Sequence, residues 1–101
     1  MFYIYIIYSA SSDVFYVGYS NDPQRRLIEH NNKPFNSFTA KHRPWIPKAV
    51  FNCGAVESHA INIERFIKQQ KSRKLIEKIC DPTYTPDGRL SMLVRVPDVR
   101  D

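Results

Sequence analysis

Cysteine is scarce in this chain of 101 residues, which has only Cys53 and Cys80. They stand far apart, with no second Cys or His at metal-clip spacing, so neither a disulfide framework nor a structural zinc site is expected. A reducing, cytoplasmic setting follows. Long apolar runs are missing as well. The strongest, Met1-Phe2-Tyr3-Ile4-Tyr5-Ile6-Ile7-Tyr8, has no basic leader and is too short for a signal peptide or a membrane span. There are no internal repeats or low-complexity tracts. Acidic residues are outnumbered, 10 against 15 Lys and Arg, which leaves a formal net charge of +5. That excess makes an anionic partner a candidate, but such charge is common in proteins that never touch nucleic acid, so its placement has to decide. The length supports one core and is too small for two independent ones.

Phe2 to Tyr8 is β-branched and aromatic, which fits a central strand buried on both faces. The Ser9–Asp13 stretch breaks it, and Val14-Phe15-Tyr16-Val17-Gly18-Tyr19 repeats the strand composition, so the two runs are expected to pair as an antiparallel hairpin. Ser20-Asn21-Asp22-Pro23 is a helix-start signal, because Asn or Asp caps free backbone NH groups and Pro is welcome in the first turn. A helix from Pro23 to about His30 is predicted, ended by Asn31-Asn32-Lys33-Pro34. The stretch onward to Pro44, with Asn36, Ser37, Thr39, Lys41, His42 and Arg43, reads as a basic loop. Trp45–Cys53 suits a third strand, which Pro47 pushes toward an edge or an irregular start.

Ser58 is a candidate cap for a helix running to about Gln70. Its residues Ala60, Ile61, Ile63, Phe66 and Ile67 share one face at about 100° per residue. Glu64 projects into that same face, where an ionised side chain is costly unless it is paired or bound to a metal. A shorter helix from Ser72 to about Ile79 carries Arg73, Lys74 and Lys78. From Cys80 the composition turns to Pro, Asp, Thr and Arg, which predicts a loosely attached tail over 80–101, with Leu90–Val96 able to form a strand or a docking segment. The expected fold is α/β of the α+β sandwich type: a three-stranded, mainly antiparallel sheet flanked by helices in the order β-β-α-β-α-α, with the domain at 1–79.

Strand, turn, strand and helix place Tyr5, Tyr16, Arg26 and His30 in a defined order, the last two on one helix face because they are four apart. The arrangement resembles the GIY-YIG nucleases. Tyr3-Ile4-Tyr5 stands where that family has its first triplet and Tyr16-Val17-Gly18 where it has its second. Arg25-Arg26-Leu27 and His30 follow, and the resemblance extends through Lys41-His42-Arg43-Pro44-Trp45 to Glu64. It covers roughly residues 1–79 and is strongest to short, stand-alone bacterial proteins akin to the N-terminal domain of the nucleotide-excision repair incision subunit. Two departures stand out: Tyr3 replaces the first Gly of the triplet, and Tyr19 stands where the repair subunit has a lysine.

The resemblance implies a structure-selective endonuclease that cleaves DNA in repair or recombination. Glu64 would hold one Mg²⁺ or Mn²⁺, a hard cation that prefers oxygen ligands, and Arg26 would contact the scissile phosphate. Tyr5 is the favoured general base and Tyr16 its orienting partner or alternative, with His30 accepting or relaying the proton. Since a phenol has a reference pKa of about 10, base action would need that pKa depressed by Arg26, the metal or His30. Lys33, Lys41, His42, Arg43, Lys68, Lys71, Arg73 and Lys74 would meet backbone phosphates.

Each residue also has a plainer structural role open to it. The tyrosines could be cross-strand packing, Arg26 a solvated charge, His30 a helix-terminal residue, Glu64 a partner for Lys68, and Trp45 core rather than a stacking platform. Together, in this order, they favour the nuclease. Its main rival is a catalytically silent nucleic-acid-binding module of the same fold.

Overall fold

The hydrophobic run at the N-terminus forms the central strand its composition predicts. In a computed structural model, which describes residues 1–33 and 38–97, β1 (Tyr3–Ser9) pairs antiparallel with β2 (Val14–Ser20) on one side and with β3 (Ile46–Asn52) on the other. Tyr5 lies directly opposite Gly18, and Ile7 opposite Tyr16. The helices are α1 (Pro23–Asn32), a single turn α2 (Phe38–Lys41), α3 (Glu57–Gln69) and α4 (Arg73–Cys80).

The sheet has four strands, in the order β2-β1-β3-β4, which corrects the expected three. The added strand β4 (Val94–Arg95) pairs with the last residues of β3, Phe51 and Asn52. Two residues carry too little pattern to be read as a strand, and packing is what holds them. Arg95 donates to the Ile79 and Asp81 carbonyls at the end of α4, 2.7 and 2.9 Å away, and stacks its guanidinium 4.8 Å from the Phe51 ring. Leu90, in the 3-10 turn Gly88–Leu90, and Leu93 are both buried in the core. Because β4 is so short, the start of β3 remains an outer edge. There Pro47, which has no NH to donate, sits beside a register shift between Ile6 and Ile7.

Two helix starts carry a side-chain cap and a third does not. Asp22 caps α1 by accepting from the Arg25 NH at 3.1 Å, with Pro23 as the first helical residue, and Ser72 caps α4 by accepting from the Leu75 NH at 3.1 Å. Ser58 does not cap α3. That helix starts earlier, with Val56 at the cap position, no side-chain cap, and Glu57 in the first turn, where a carboxylate favours the helix dipole. The expected basic loop contains α2, while its residues Pro34, Asn36 and Ser37 lie outside the described residues, as do the last four of the chain.

The strand period of two divides the sheet into unlike faces. Ile4, Ile6, Val17, Ala49 and Phe51 pack against Ala60, Ile63 and Ile67 of α3 and Ile79 of α4. Tyr5, Ile7 and Val50 face the other way, with Trp45, Tyr16 and Leu27 of α1. Asn31 fastens α1 to that second face: its amide donates to the Trp45 carbonyl at 3.0 Å and its oxygen accepts from the Trp45 NH at 2.7 Å. No helix among the described residues is long and apolar enough to cross a membrane.

Candidate active site

An open pocket of about 420 Å³ lies along the outer strand β2, lined among others by Tyr5, Tyr16, Gly18, Arg26 and Glu64. Strands bring the two phenols, α1 brings the guanidinium, and α3 brings the carboxylate. Four of the five sequence-expected catalytic residues therefore line one pocket. The fifth, His30, sits behind it, with Nε2 2.8 Å from the Tyr5 hydroxyl.

Gly18 is what lets Tyr5 occupy this place. A Cβ on Gly18 would stand 2.4 Å from the Tyr5 oxygen and 2.5 Å from Cζ, closer than atoms can approach. The ring thus lies across the backbone of the opposing strand. Tyr5 is only 2% exposed and His30 5%, so neither side chain has room to swing away.

Burial sets the protonation of this pair. It pushes the Tyr5 phenol up to about 12; Arg26 pulls the other way, while Tyr16 and Glu64 add to the rise. The protein's own groups therefore do not supply the depressed phenol pKa that simple base action calls for. Burial also lowers the His30 imidazole to about 4, helped by the positive charges of Arg26 and Arg43 and opposed by Glu29. At neutral pH both partners are uncharged. In the tautomer with its proton on Nδ1, His30 accepts the phenol's proton at Nε2 and leaves the Tyr5 oxygen lone pairs to the pocket.

Arg26 is steered by Glu29, whose carboxylate accepts from its guanidinium at 2.5 Å and from Arg25 at 3.0 Å. The Arg26 hydrogen bond above all, joined by the positive charges of Lys33 and Arg25 and opposed by desolvation, holds the Glu29 carboxyl below the ordinary range. Tyr16 touches His30 edge-on, with ring centroids 5.1 Å apart. Glu64 is half-buried and meets Lys68 at 3.7 Å, a loose contact that leaves carboxylate lone pairs facing the pocket. A single carboxylate beside open, solvated space suits a hard cation that keeps most of its waters, so the residues present fit Mg²⁺ or Mn²⁺ at Glu64. Among the described residues no three His, Cys, Asp or Glu side chains converge on one point.

The expected phosphate contacts divide. Lys41, Lys71 and Lys74 are exposed, Lys33 closes the C-terminal end of α1, and Lys68 sits 5.1 Å above the Tyr16 ring. Others are committed to the fold. Arg43 donates to the His30 carbonyl at 2.6 Å and to the Lys33 carbonyl, satisfying the end of α1. Arg73 binds the Asp13 carboxylate at 2.6 Å and Glu77 at 3.0 Å, tying α4 to the β1–β2 turn. His42 meets the Ser12 hydroxyl at 2.9 Å. Trp45 is 2% exposed, with its indole NH donating to the Thr39 carbonyl, and belongs to the core. Sequence reasoning missed Gly18 as the seat of Tyr5. It also missed Glu57, which lines the pocket and accepts from the Tyr19 hydroxyl at 3.2 Å. Glu57 is seven residues before Glu64, and that two-turn helical spacing was the signal available.

Fold and pocket together define a small α+β domain with phenols, a guanidinium and a carboxylate gathered in one open site. Residues 1–77 match the family model of the GIY-YIG catalytic domain, so the chain belongs to that family, whose domains have nuclease-type activity on DNA. No curated protein sequence matches the chain.

Proposed function

We propose that the chain is a divalent-metal-dependent endonuclease that hydrolyses DNA phosphodiester bonds, selecting branched, flapped or damaged DNA in repair or recombination. The observation that carries this reading is the convergence of Tyr5, Tyr16, Arg26 and Glu64 on one pocket, with Tyr5 hydrogen-bonded to His30. Arg26 binds a non-bridging oxygen of the scissile phosphate, and its planar donors stay in place as charge builds on the phosphorane. Tyr5 accepts a proton from the attacking water while its own proton passes to Nε2 of His30. This coupled transfer avoids a free phenolate, which a phenol raised to about 12 would disfavour, and the His30 imidazolium it forms, disfavoured by burial, is favoured by the negative charge of the bound phosphate. Tyr16 orients the water from the other side. Glu64 would hold Mg²⁺ or Mn²⁺, which would supply positive charge to stabilise the reacting phosphate.

The donors gathered here address phosphate, and phosphate contacts position a backbone without reading its sequence, which supports selection by DNA structure. A cytoplasmic setting belongs to the same proposal, and the free thiols of Cys53 and Cys80 are compatible with it. The test is cleavage of plasmid, flap and four-way-junction DNA with Mg²⁺, Mn²⁺ or chelator, comparing wild type with Glu64→Ala. Wild type is expected to cut with metal only, and Glu64→Ala to lose cleavage. Equal cutting by the variant would remove Glu64 from the metal site, and binding of all three DNAs without cutting would identify a silent binding module.

A further inference from the structure

Phe38 is the sole aromatic among the exposed large hydrophobic side chains of the described residues, at 50% exposure. Its ring is stacked beside Tyr16, centroids 6.2 Å apart and planes 27° from parallel. Next to it a second depression, about 450 Å³, lies along β2 toward the Asp13 end, a size usual for small-ligand pockets. Phe15, Val17, Ile67 and Ile76 make its walls apolar, and Lys68 and Lys71 stand on its rim. The carboxylate beside it, Asp13, is already engaged by Arg73 and by the Tyr8 hydroxyl, each at 2.6 Å, so the rim presents net positive charge. Tyr16 lines both this depression and the active-site pocket.

An open, mainly apolar depression lined by an exposed aromatic ring and by two ammonium groups complements a nucleobase on its sugar-phosphate chain. Every base has a π-face that stacks on an aromatic ring whatever its sequence, and the flanking phosphates meet the lysines. We propose that this depression is a nucleobase subsite. An unpaired base next to the phosphate held by Arg26 inserts against Phe38, with Lys68 and Lys71 on the neighbouring phosphates. A base stacked within continuous duplex cannot enter, because extrusion costs its pairing and stacking. Resting on the nuclease reading, this narrows the substrate to DNA with an unpaired or extruded nucleotide beside the cut, as in a flap, a bubble or a single strand.

The test measures binding of fluorescein-labelled oligo-dT and of an abasic strand of equal length and charge, by anisotropy in chelator. Wild type is expected to bind oligo-dT about tenfold tighter or more. Phe38→Leu should lose that preference while keeping its affinity for the abasic strand, which also reports that the variant is folded, and Phe38→Tyr should retain it. Equal wild-type affinity for the two strands, or an undiminished preference in Phe38→Leu, would overturn the subsite. Equal affinity together with concentration-dependent self-association would assign the slot to a second copy of the chain instead. Flap cleavage by the same preparations separates the two readings. Cleavage with base-independent binding overturns the subsite alone, whereas base-dependent binding without cleavage overturns the nuclease alone.

Discussion

The two faces of the sheet are built from one strand and serve opposite ends. On β1, Ile4 and Ile6 point into an apolar core closed by α3 and α4, where Phe51 and Ala60 are fully buried. Tyr3, Tyr5 and Ile7 point into a layer that mixes aromatic packing with titratable groups, and there a phenol and an imidazole are buried together. The first face needs only area removed from water. The second accepts the cost of desolvating Tyr5 and His30 and recovers part of it through their hydrogen bond. Burial of apolar area is concentrated on one side and Tyr5, His30 and Tyr16 of the proposed chemistry on the other, one residue out of step on the same strand, while α3, which closes the apolar side, adds Glu64 to the shared pocket.

Substitutions on each face break this comparison in different ways. Phe51→Ala should destabilise the chain by about 3–5 kcal/mol by opening a cavity in the apolar layer. Urea unfolding would measure it, and activity should be lost only in proportion to the unfolded fraction. On the second face His30 makes stability depend on pH. Its folded pKa of about 4 lies below the ordinary 6.5, so between those values the unfolded chain binds a proton that the folded one refuses. Stability from this group is full above pH 6.5 and falls as pH drops toward 4, by up to about 3 kcal/mol. In His30→Gln that part of the slope should vanish from a series of unfolding curves. Gly18→Ala sharpens the comparison further. The added methyl would collide with the Tyr5 oxygen, and displacing a reacting group by about 1 Å costs ~10²-fold in rate. Single-turnover cleavage should therefore fall by about that factor.

How much of this was legible in the sequence follows the range of the forces involved. β1, β2 and the cap of α1 are local matters of composition and turn chemistry, and Asp22 and Pro23 do there what their side chains predict. Glu64 stood out because a carboxylate in an apolar helical face is a visible conflict. Arg43 and Arg73 show the limit. Sequence gives their charge but not the carbonyls and the carboxylate, distant in the chain, that engage them. β4 was hidden for the same reason, since Arg95 and Leu93 hold it by contacts remote in sequence. Nor does any residue pattern say that Gly18 is empty for the sake of Tyr5. That close approach exists only once the register sets them opposite each other.

The most direct test of this division is Tyr5→Phe, which deletes one oxygen from the chemical face and leaves the apolar face untouched. Its cleavage rate on a flapped duplex in Mg²⁺ and its thermal unfolding should be measured in the same buffer. The account predicts a cleavage loss of about 10²–10⁴-fold, while the folded state persists with a stability change of no more than about 1–3 kcal/mol from the unpaired His30 nitrogen. A Tyr5→Phe protein that cuts at the wild-type rate would contradict it.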